Sequence, residues 1–273
     1  MMTAEPEEND DGQVEGMFGS ISEQNNEAYF DDRSDAEDDL LKGQIKFPKE
    51  KIYGRDDELA KLRSIYNDVS QQAGENTTSA AVFIAGYSGT GKSALVEAFA
   101  KQLDDAEEDS HLFASGKYSE LRAETPFSAI AEALSKVTSE LMTGDPDELQ
   151  RVRDNLKAAG VIGDGDEGEV LISMFPVLSQ LLRSEEQQQV EPASAASYDF
   201  ETFKYVFQQF VRALCTKIRP FTLYIDDLQW VDVASLEIIT TLLLNKSIQF
   251  FMFIGAYRSN EVDEEHAFYQ RIL

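Results

Sequence analysis

Residues 86–93 read GYSGTGKS, a glycine-rich run that ends in Lys92 and Ser93. The run fits the spacing G-x-x-x-x-G-K-S/T, in which the glycines let the backbone curl around phosphate oxygens. A helix beginning here would add roughly half a positive charge from its N-terminus. Lys92 is expected to reach the outer phosphates, and the Ser93 hydroxyl to ligate Mg²⁺. The residues predicted to contact the phosphates are Gly86, Tyr87, Ser88, Gly89, Thr90, Gly91, Lys92, Ser93 and Ala94.

A second chemical signal is the pair Asp226 and Asp227, which follows the apolar run 221–225. In a parallel sheet, the carboxyl end of this strand lies at the edge where the phosphate loop begins. Asp226 is therefore predicted to hold Mg²⁺, through a water molecule, and Asp227 to orient or deprotonate the attacking water. An apolar run that ends in Asp is also typical of a solvated strand end, so the upstream loop is what favours a catalytic role.

The elements around these signals predict an α/β domain. Apolar runs at 80–85, 221–225 and 250–256 indicate buried strands, and 111–115 a further one. Strands that alternate with helices indicate a mostly parallel sheet with helices on both faces, the three-layer P-loop fold. The helices are expected at 58–67, 93–103, from Thr125-Pro126 onward, at 147–159, at 202–217 with a stripe of apolar residues, and at 235–244.

Several segments together resemble the origin-recognition-like AAA ATPase domains, which overlap the STAND class of signalling ATPases. The most specific are 225–232, IDDLQWVD, and 254–262, IGAYRSNEV. Further matches are YGR at 53–55, SGKY at 115–118 and TPFSAI at 125–130. The resemblance spans about residues 47–273.

This resemblance implies ATP binding and slow, switch-like hydrolysis within multidomain regulators such as large kinases, cyclases and transcriptional activators. It implies that Arg258 senses the γ-phosphate, for which a guanidinium is suited because it offers several donors. Pairing of Arg258 with Glu261 is the alternative. It also implies that Gly54 and Arg55 lie near the adenine, the alternative being a helix-entry turn in which Arg55 pairs with a nearby acid. The segment 245–248, NKSI, lacks the Asp of a guanine-selective motif, so ATP is expected rather than GTP.

Composition sets limits on partners and compartment. The chain has 273 residues and a formal net charge of -27, so nucleic acid is an unexpected general partner. One cysteine, no N-terminal signal pattern and short apolar runs favour a soluble protein of the cytoplasm or another intracellular compartment, with no membrane contact. Residues 1–44 are acidic and poor in apolar side chains, which predicts a disordered tail before an ATPase domain at 45–273.

The sequence stops soon after the sensor segment, without the helical lid and partner domains that the resemblance suggests. A fragment, a short gene product and a lid supplied by another molecule all fit this, and uncovered apolar surface would favour a homo-oligomer. Three functions stay open: an ATP-hydrolysing switch read by a regulated protein partner, a nucleotide-binding interaction module with little turnover, and a DNA-associated initiator ATPase. The acidic charge weighs against the third.

Overall fold

The computed structural model describes residues 52–71, 79–105, 111–122, 125–163, 165–183 and 198–273. The expected acidic tail at 1–44 lies outside these residues. Within them, strands and helices alternate along the chain as the sequence predicts.

The strands of the described chain form one parallel sheet with the order β1-β4-β3-β2. Strand β4 therefore lies between the strand that enters the phosphate loop and the strand that ends in Asp226. The carboxyl ends meet at one edge, where Gly86 is in register with Arg258, and Lys117 with Asp226. This arrangement confirms the predicted α/β fold. The strands are β1 (Ala80–Gly86), β2 (Leu112–Lys117), β3 (Phe221–Asp226) and β4 (Phe251–Arg258).

Helices and short 3-10 turns connect and flank these strands. None of the described helices is both long and apolar enough to span a membrane. The 3-10 turns are Glu120–Arg122, Pro176–Leu178 and Leu228–Trp230. The helices are α1 (Asp56–Gln71), α2 (Lys92–Asp104), α3 (Ser128–Thr143), α4 (Pro146–Ala158), α5 (Glu167–Met174), α6 (Ser179–Leu182), α7 (Phe200–Leu214), α8 (Val233–Leu244) and α9 (Ala267–Ile272).

Alternate residues of the central strands pack on opposite faces of the sheet. Tyr224 and Ile254 belong to a core cluster with α1 and α2. Ile225 and Phe253 belong to a larger cluster with α3, α4, α5, α7 and α8. Successive side chains of a strand point to opposite faces of the sheet, so an uninterrupted apolar run places apolar side chains on both faces. Helices cover each face, which gives three layers.

Helix α7 carries the predicted apolar stripe into the larger cluster. It begins at Phe200, two residues before the prediction, because Asp199 caps it by accepting the Thr202 N–H at 2.9 Å. It ends at Leu214 rather than at 217. The buried stripe consists of Phe203, Val206, Phe207, Phe210, Val211 and Leu214.

The predicted helix start at 125–126 is wrong. Helix α3 begins at Ser128, after Phe127, whose backbone is left-handed with a φ of 61°. The Phe127 N–H donates to Asp232 Oδ2 at 3.2 Å and to Ser235 Oγ at 3.1 Å. These acceptors lie at the start of α8, far along the chain, so a local capping pattern does not reveal them.

Other boundaries differ for local reasons. Helix α1 begins at Asp56 rather than at 58, and its first-turn acids suit the positive end of the helix dipole. The short helices α5, α6 and α9 were not predicted. Helix α5 buries Val170, Leu171 and Ile172 in succession, so no one-sided period marks it in the sequence.

Candidate functional site

The carboxyl edge of the sheet encloses a cavity of about 290 Å³. It joins the loop after β1 to the ends of the other strands, and Ser93 meets Asp226 there although 133 positions separate them. Among the predicted loop residues, Gly86, Tyr87 and Thr90 are not part of its lining. The residues that line it are Ser88, Gly89, Gly91, Lys92, Ser93, Ala94, Lys117, Asp226, Asp227 and Arg258.

Glycine conformations shape the loop. Gly89 and Gly91 have φ angles of 76° and 81°, in the left-handed region that side chains rarely adopt. Gly91 is the N-cap of α2, and no side chain caps that helix end. The first N–H groups of a helix have no partner within it, and the positive end of its dipole lies there. The start of α2 is therefore suited to phosphate oxygens.

Lys92 is the buried cation of the loop. Its ammonium donates to the carbonyls of Gly86 and Tyr87, both at 2.9 Å. An ammonium has three protons, so two carbonyl contacts leave one for another acceptor. Because Lys92 also lines the cavity, a phosphate oxygen there would compete with these carbonyls for it.

Ser93 and Asp226 form the link between the loop and β3. The Ser93 hydroxyl donates to Asp226 Oδ2 at 2.8 Å, and the other oxygen of Asp226 accepts the Asp227 N–H at 2.9 Å. A hydroxyl and a carboxylate are hard oxygen ligands of the type that Mg²⁺ takes together with substrate phosphates and water. The two side chains therefore fit the predicted magnesium site.

Asp227 is held by several donors. It has a left-handed backbone with a φ of 54°, and its carboxylate accepts from Gln229 Nε2 at 2.9 Å. Lys117 Nζ lies 2.8 Å from Asp227 Oδ2, and Arg258 Nε lies 3.6 Å from Oδ1, the oxygen that accepts from Gln229. Burial alone raises the pKa of Asp227, but hydrogen bonds from Lys117 and Gln229 and the charges of Lys117 and Arg258 outweigh it. The pKa is thus below its ordinary value.

Lys117 belongs to the site although the sequence prediction assigned it no role. Its ammonium lies 3.2 Å from Asp226 Oδ2, and the hydrogen bond to Asp227 raises the pKa of Lys117. The signal that could have found it is its place as the last residue of β2. Strand ends of a parallel sheet meet at one edge, and Lys117 is paired in register with Asp226.

Arg258 lines the cavity, and Gln229 lies behind it. The Arg258 guanidinium lines the cavity and pairs with Glu261 at 2.8 Å, which is the alternative that the sequence left open. Gln229 is 5% exposed. It donates to Asp227 and accepts the Arg258 N–H at 3.1 Å, so it ties the end of β3 to the end of β4. Gln229 lies within the motif 225–232, yet the motif alone indicates no such bridge.

Gly54 and Arg55 lie outside the cavity lining. Gly54 has a φ of 68°, and Arg55 immediately precedes α1. The Arg55 guanidinium donates to the Thr90 carbonyl of the loop and pairs with Glu58 at 3.4 Å. Arg55 thus pairs with a nearby acid, as its alternative predicted, while it also contacts the loop. Its contact with adenine stays a prediction.

Comparison with protein families places this chain in a known group. Residues 51–254 match the family described as AAA ATPase domain. The match takes in most of the chain, from the entry to α1 through the first half of β4. The chain belongs to the AAA ATPase domain family.

One curated relative is Hybrid signal transduction histidine kinase G of Dictyostelium discoideum. The two sequences are 26% identical over 192 residues. The match covers 70% of this chain and spans 5% of the relative's length. The similarity therefore concerns one segment of a far longer protein.

Proposed function

We propose that this chain binds Mg-ATP and hydrolyses it slowly, as a nucleotide-dependent switch in a signalling or regulatory protein. The observation that carries the proposal is the 2.8 Å contact between the Ser93 hydroxyl and the Asp226 carboxylate, beside the uncapped start of α2. Membership of the AAA ATPase domain family supports nucleotide binding and hydrolysis in general. The finer assignment to origin-recognition-like, STAND-related ATPases belongs to the proposal and rests on the sequence motifs.

Five side chains of the cavity have roles in this proposal. Lys92 and the N–H groups at the start of α2 bind the phosphates. Ser93 and Asp226 would hold Mg²⁺, which offsets the negative charge of the phosphate oxygens when bound. Asp227 orients or deprotonates the attacking water, and Arg258 donates to the γ-phosphate.

Two segments outside the cavity bear on nucleotide selectivity. Gly54 and Arg55 would border the adenine from outside the loop, since Arg55 already contacts the Thr90 carbonyl. ATP is preferred over GTP because 245–248 lacks the Asp of a guanine-selective motif.

The ion pairs of Arg258 support a switch. Its guanidinium is divided between Glu261 at 2.8 Å and Asp227 at 3.6 Å. A γ-phosphate would be a competing acceptor, so the ATP and ADP forms would differ in how the end of β4 is held. A partner that binds the end of β4 in only one of the two forms would respond to the nucleotide state.

The kind of partner is inferred from the name of the curated relative. Because that protein is named as a hybrid signal transduction histidine kinase, we infer that this domain regulates a signalling partner or neighbouring domains inside the cell. A homo-oligomer is compatible with this role, whereas the net charge of -27 disfavours nucleic acid.

A nucleotide-binding module with little turnover is the second candidate. It is favoured by the environment of Asp227, whose pKa is lowered below its ordinary value by Lys117, Gln229 and Arg258 despite burial. An efficient general base has a pKa near the working pH, so Asp227 is a weak proton acceptor. This candidate predicts ATP binding without phosphate release.

The test is Lys92→Ala in the full chain. Loss of a charged hydrogen bond costs about 1.5–3 kcal/mol, so ATP affinity should fall about 10- to 100-fold. Isothermal titration with Mg-ATP measures the affinity, and phosphate release is followed on the same preparation. Lys101→Ala, in the last turn of the same helix, is the matched control and should bind as the unaltered chain does.

Equal ATP affinity in Lys92→Ala and the unaltered chain would show that the phosphate-loop assignment is wrong. Binding with release supports the switch, and binding without release supports the second candidate.

A further inference from the structure

The side chain of Lys117 touches both carboxylates of the candidate site. Its Nζ lies 3.2 Å from Asp226 Oδ2 and 2.8 Å from Asp227 Oδ2. Asp226 Oδ2 is also the atom that accepts the Ser93 hydroxyl. The ammonium therefore contacts the oxygen that, together with Ser93, forms the donor pair suited to Mg²⁺.

We propose that Lys117 is a tethered cation that holds Asp226 and Asp227 in the nucleotide-free protein and leaves them when Mg²⁺ binds with ATP. The inference rests on the proposed function, because it concerns the same metal site. A divalent cation alone must compete with the ammonium, whereas a cation that arrives with ATP brings phosphate oxygens as additional ligands. Lys117 thereby makes metal binding depend on the nucleotide.

The need for a counter-charge comes from burial. The side chains of Asp226 and Asp227 are 7% and 10% exposed. Two adjacent buried carboxylates are unfavourable unless a cation or hydrogen bonds compensate them. Lys117 supplies one positive charge to the pair, and Mg²⁺ would supply two.

The other cations of the cavity are engaged elsewhere. The Lys92 ammonium donates to two loop carbonyls. Arg258 lies closer to Glu261, at 2.8 Å, than to Asp227, at 3.6 Å. Among the cavity-lining cations, Lys117 is thus the one in close contact with both carboxylates.

Lys117 has a fixed backbone and a side chain that can leave. It is the last residue of β2, and its N–H donates to Glu132 Oε2 of α3 at 3.3 Å. Its side chain is 56% exposed, so departure of the ammonium disrupts little packing. A flexible aliphatic stem allows the charge to move into water without movement of the strand.

The first test measures binding of Mn²⁺ alone, without nucleotide, by the electron paramagnetic resonance signal of the free ion. Lys117→Met in the full chain keeps the length of the stem and removes the charge. We expect its Mn²⁺ affinity to rise at least about tenfold. Two charges a few ångströms apart near a protein surface interact with more energy than a tenfold change in affinity requires. Lys117→Arg keeps the charge and should retain the weak binding of the unaltered chain.

Lys136→Met is the matched control. Lys136 is 50% exposed, close to the value for Lys117, and it also pairs with a carboxylate, Glu132, at 3.0 Å. Its loss should leave Mn²⁺ affinity unchanged. Equal or weaker Mn²⁺ binding by Lys117→Met would overturn the proposal, because Lys117 would then brace or organise the site instead of competing for it.

The second test uses the unaltered chain, so it does not depend on a variant folding. Lysines are acetylated for short times over a Mg²⁺ titration in the presence of ATP, and modification is measured by mass spectrometry. The rate at Lys117 should rise as Mg²⁺ releases its ammonium, while the rate at Lys136 stays constant. A constant or falling rate at Lys117 would contradict displacement.

These outcomes are separable from failure of the proposed function. If Lys92→Ala weakens ATP binding but Lys117→Met does not strengthen Mn²⁺ binding, the nucleotide site stands and the role of Lys117 is wrong. If ATP does not bind in any variant, the proposed function fails, even where Mn²⁺ competes with Lys117.

Discussion

Asp227 combines an unusual backbone with an unusual charge environment. Its φ of 54° is in the left-handed region, which non-glycine residues rarely adopt and which Asp and Asn tolerate best. Such conformations cluster at functional sites because the surrounding structure must hold them. Here the surroundings are Lys117, Gln229 and Arg258, which orient the carboxylate while lowering its basicity. Asp227 is therefore better arranged to orient a water molecule than to take its proton.

Asp227→Asn tests this residue with little disturbance of the backbone. Under the proposed function, phosphate release should fall about 100-fold, since a water molecule that loses its carboxylate acceptor is misplaced for attack. ATP affinity should stay close to that of the unaltered chain, because Asp227 is not among the phosphate ligands. Both are measured on one preparation, with Asp105→Asn at the far end of α2 as the control.

Release that is present and unchanged in Asp227→Asn would remove Asp227 from the reaction. Absence of release from both proteins would instead support the binding module.

At the scale of elements, the site depends on how closely α3 packs on β2. A Cβ added to Gly116 would lie 1.8 Å from the Ala129 carbonyl oxygen and 2.7 Å from its carbon. Those are backbone atoms of α3, so no side-chain rotation relieves the contact. Gly116 precedes Lys117, so this close approach of α3 helps to fix the position of the Lys117 ammonium at the end of β2.

Gly116→Ala should destabilise the fold by about 1–3 kcal/mol, as overpacking of a core does, and more if α3 cannot shift. Denaturant unfolding followed by circular dichroism measures the free energy of unfolding. Gly163→Ala is the control, because a Cβ there meets nothing within 4 Å and Gly163 is not among the positive-φ glycines. Its effect should stay within about 0.5 kcal/mol. Equal stability of the two variants would mean that α3 moves freely away from β2.

At the scale of the whole molecule, charge is the dominant feature. The net charge of -27 opposes compaction through self-repulsion, while each ion pair in the described part of the chain acts locally. Exposed pairs contribute about 0–1 kcal/mol each, and salt screens partly buried pairs much less, so the repulsion among the excess carboxylates should outweigh what salt removes from the pairs.

We therefore expect the thermal midpoint of the nucleotide-free chain to rise between about 10 and 150 mM NaCl, as the Debye length shortens from about 30 to about 8 Å. Scanning calorimetry at pH 7 measures it. Sucrose at the same osmolality is the control for a general solute effect. A midpoint that falls with NaCl would show that the local ion pairs, rather than net repulsion, dominate the response.

The sequence by itself determined the class of fold and the main chemical groups. The spacing of residues 86–93 and the acidic end at Asp226 are local patterns. Each directly follows a predicted strand in the sequence, so its place at the end of that strand can be predicted without tertiary structure. Uninterrupted apolar runs marked β3 and β4, since a strand buried on both faces contains few polar residues. The run at 80–85 also forms a strand, but the expectation that it is buried is wrong, because β1 lies at the edge of the described sheet and its residues are half-buried or exposed. Parallel strands then require their carboxyl ends to share an edge, so the meeting of loop and Asp226 followed from topology.

Only the tertiary structure decided which side chains complete the site. Lys117 contacts Asp227 because β2 lies beside β3 in the order β1-β4-β3-β2, and Gln229 accepts the Arg258 N–H because β4 lies on the other side of β3. The start of α3 at Ser128 depends likewise on acceptors from α8. Propensity and periodicity act over a few neighbouring residues, whereas these contacts join segments that are distant in the chain. Their energies arise only once the sheet order and the burial of the carboxylates are established.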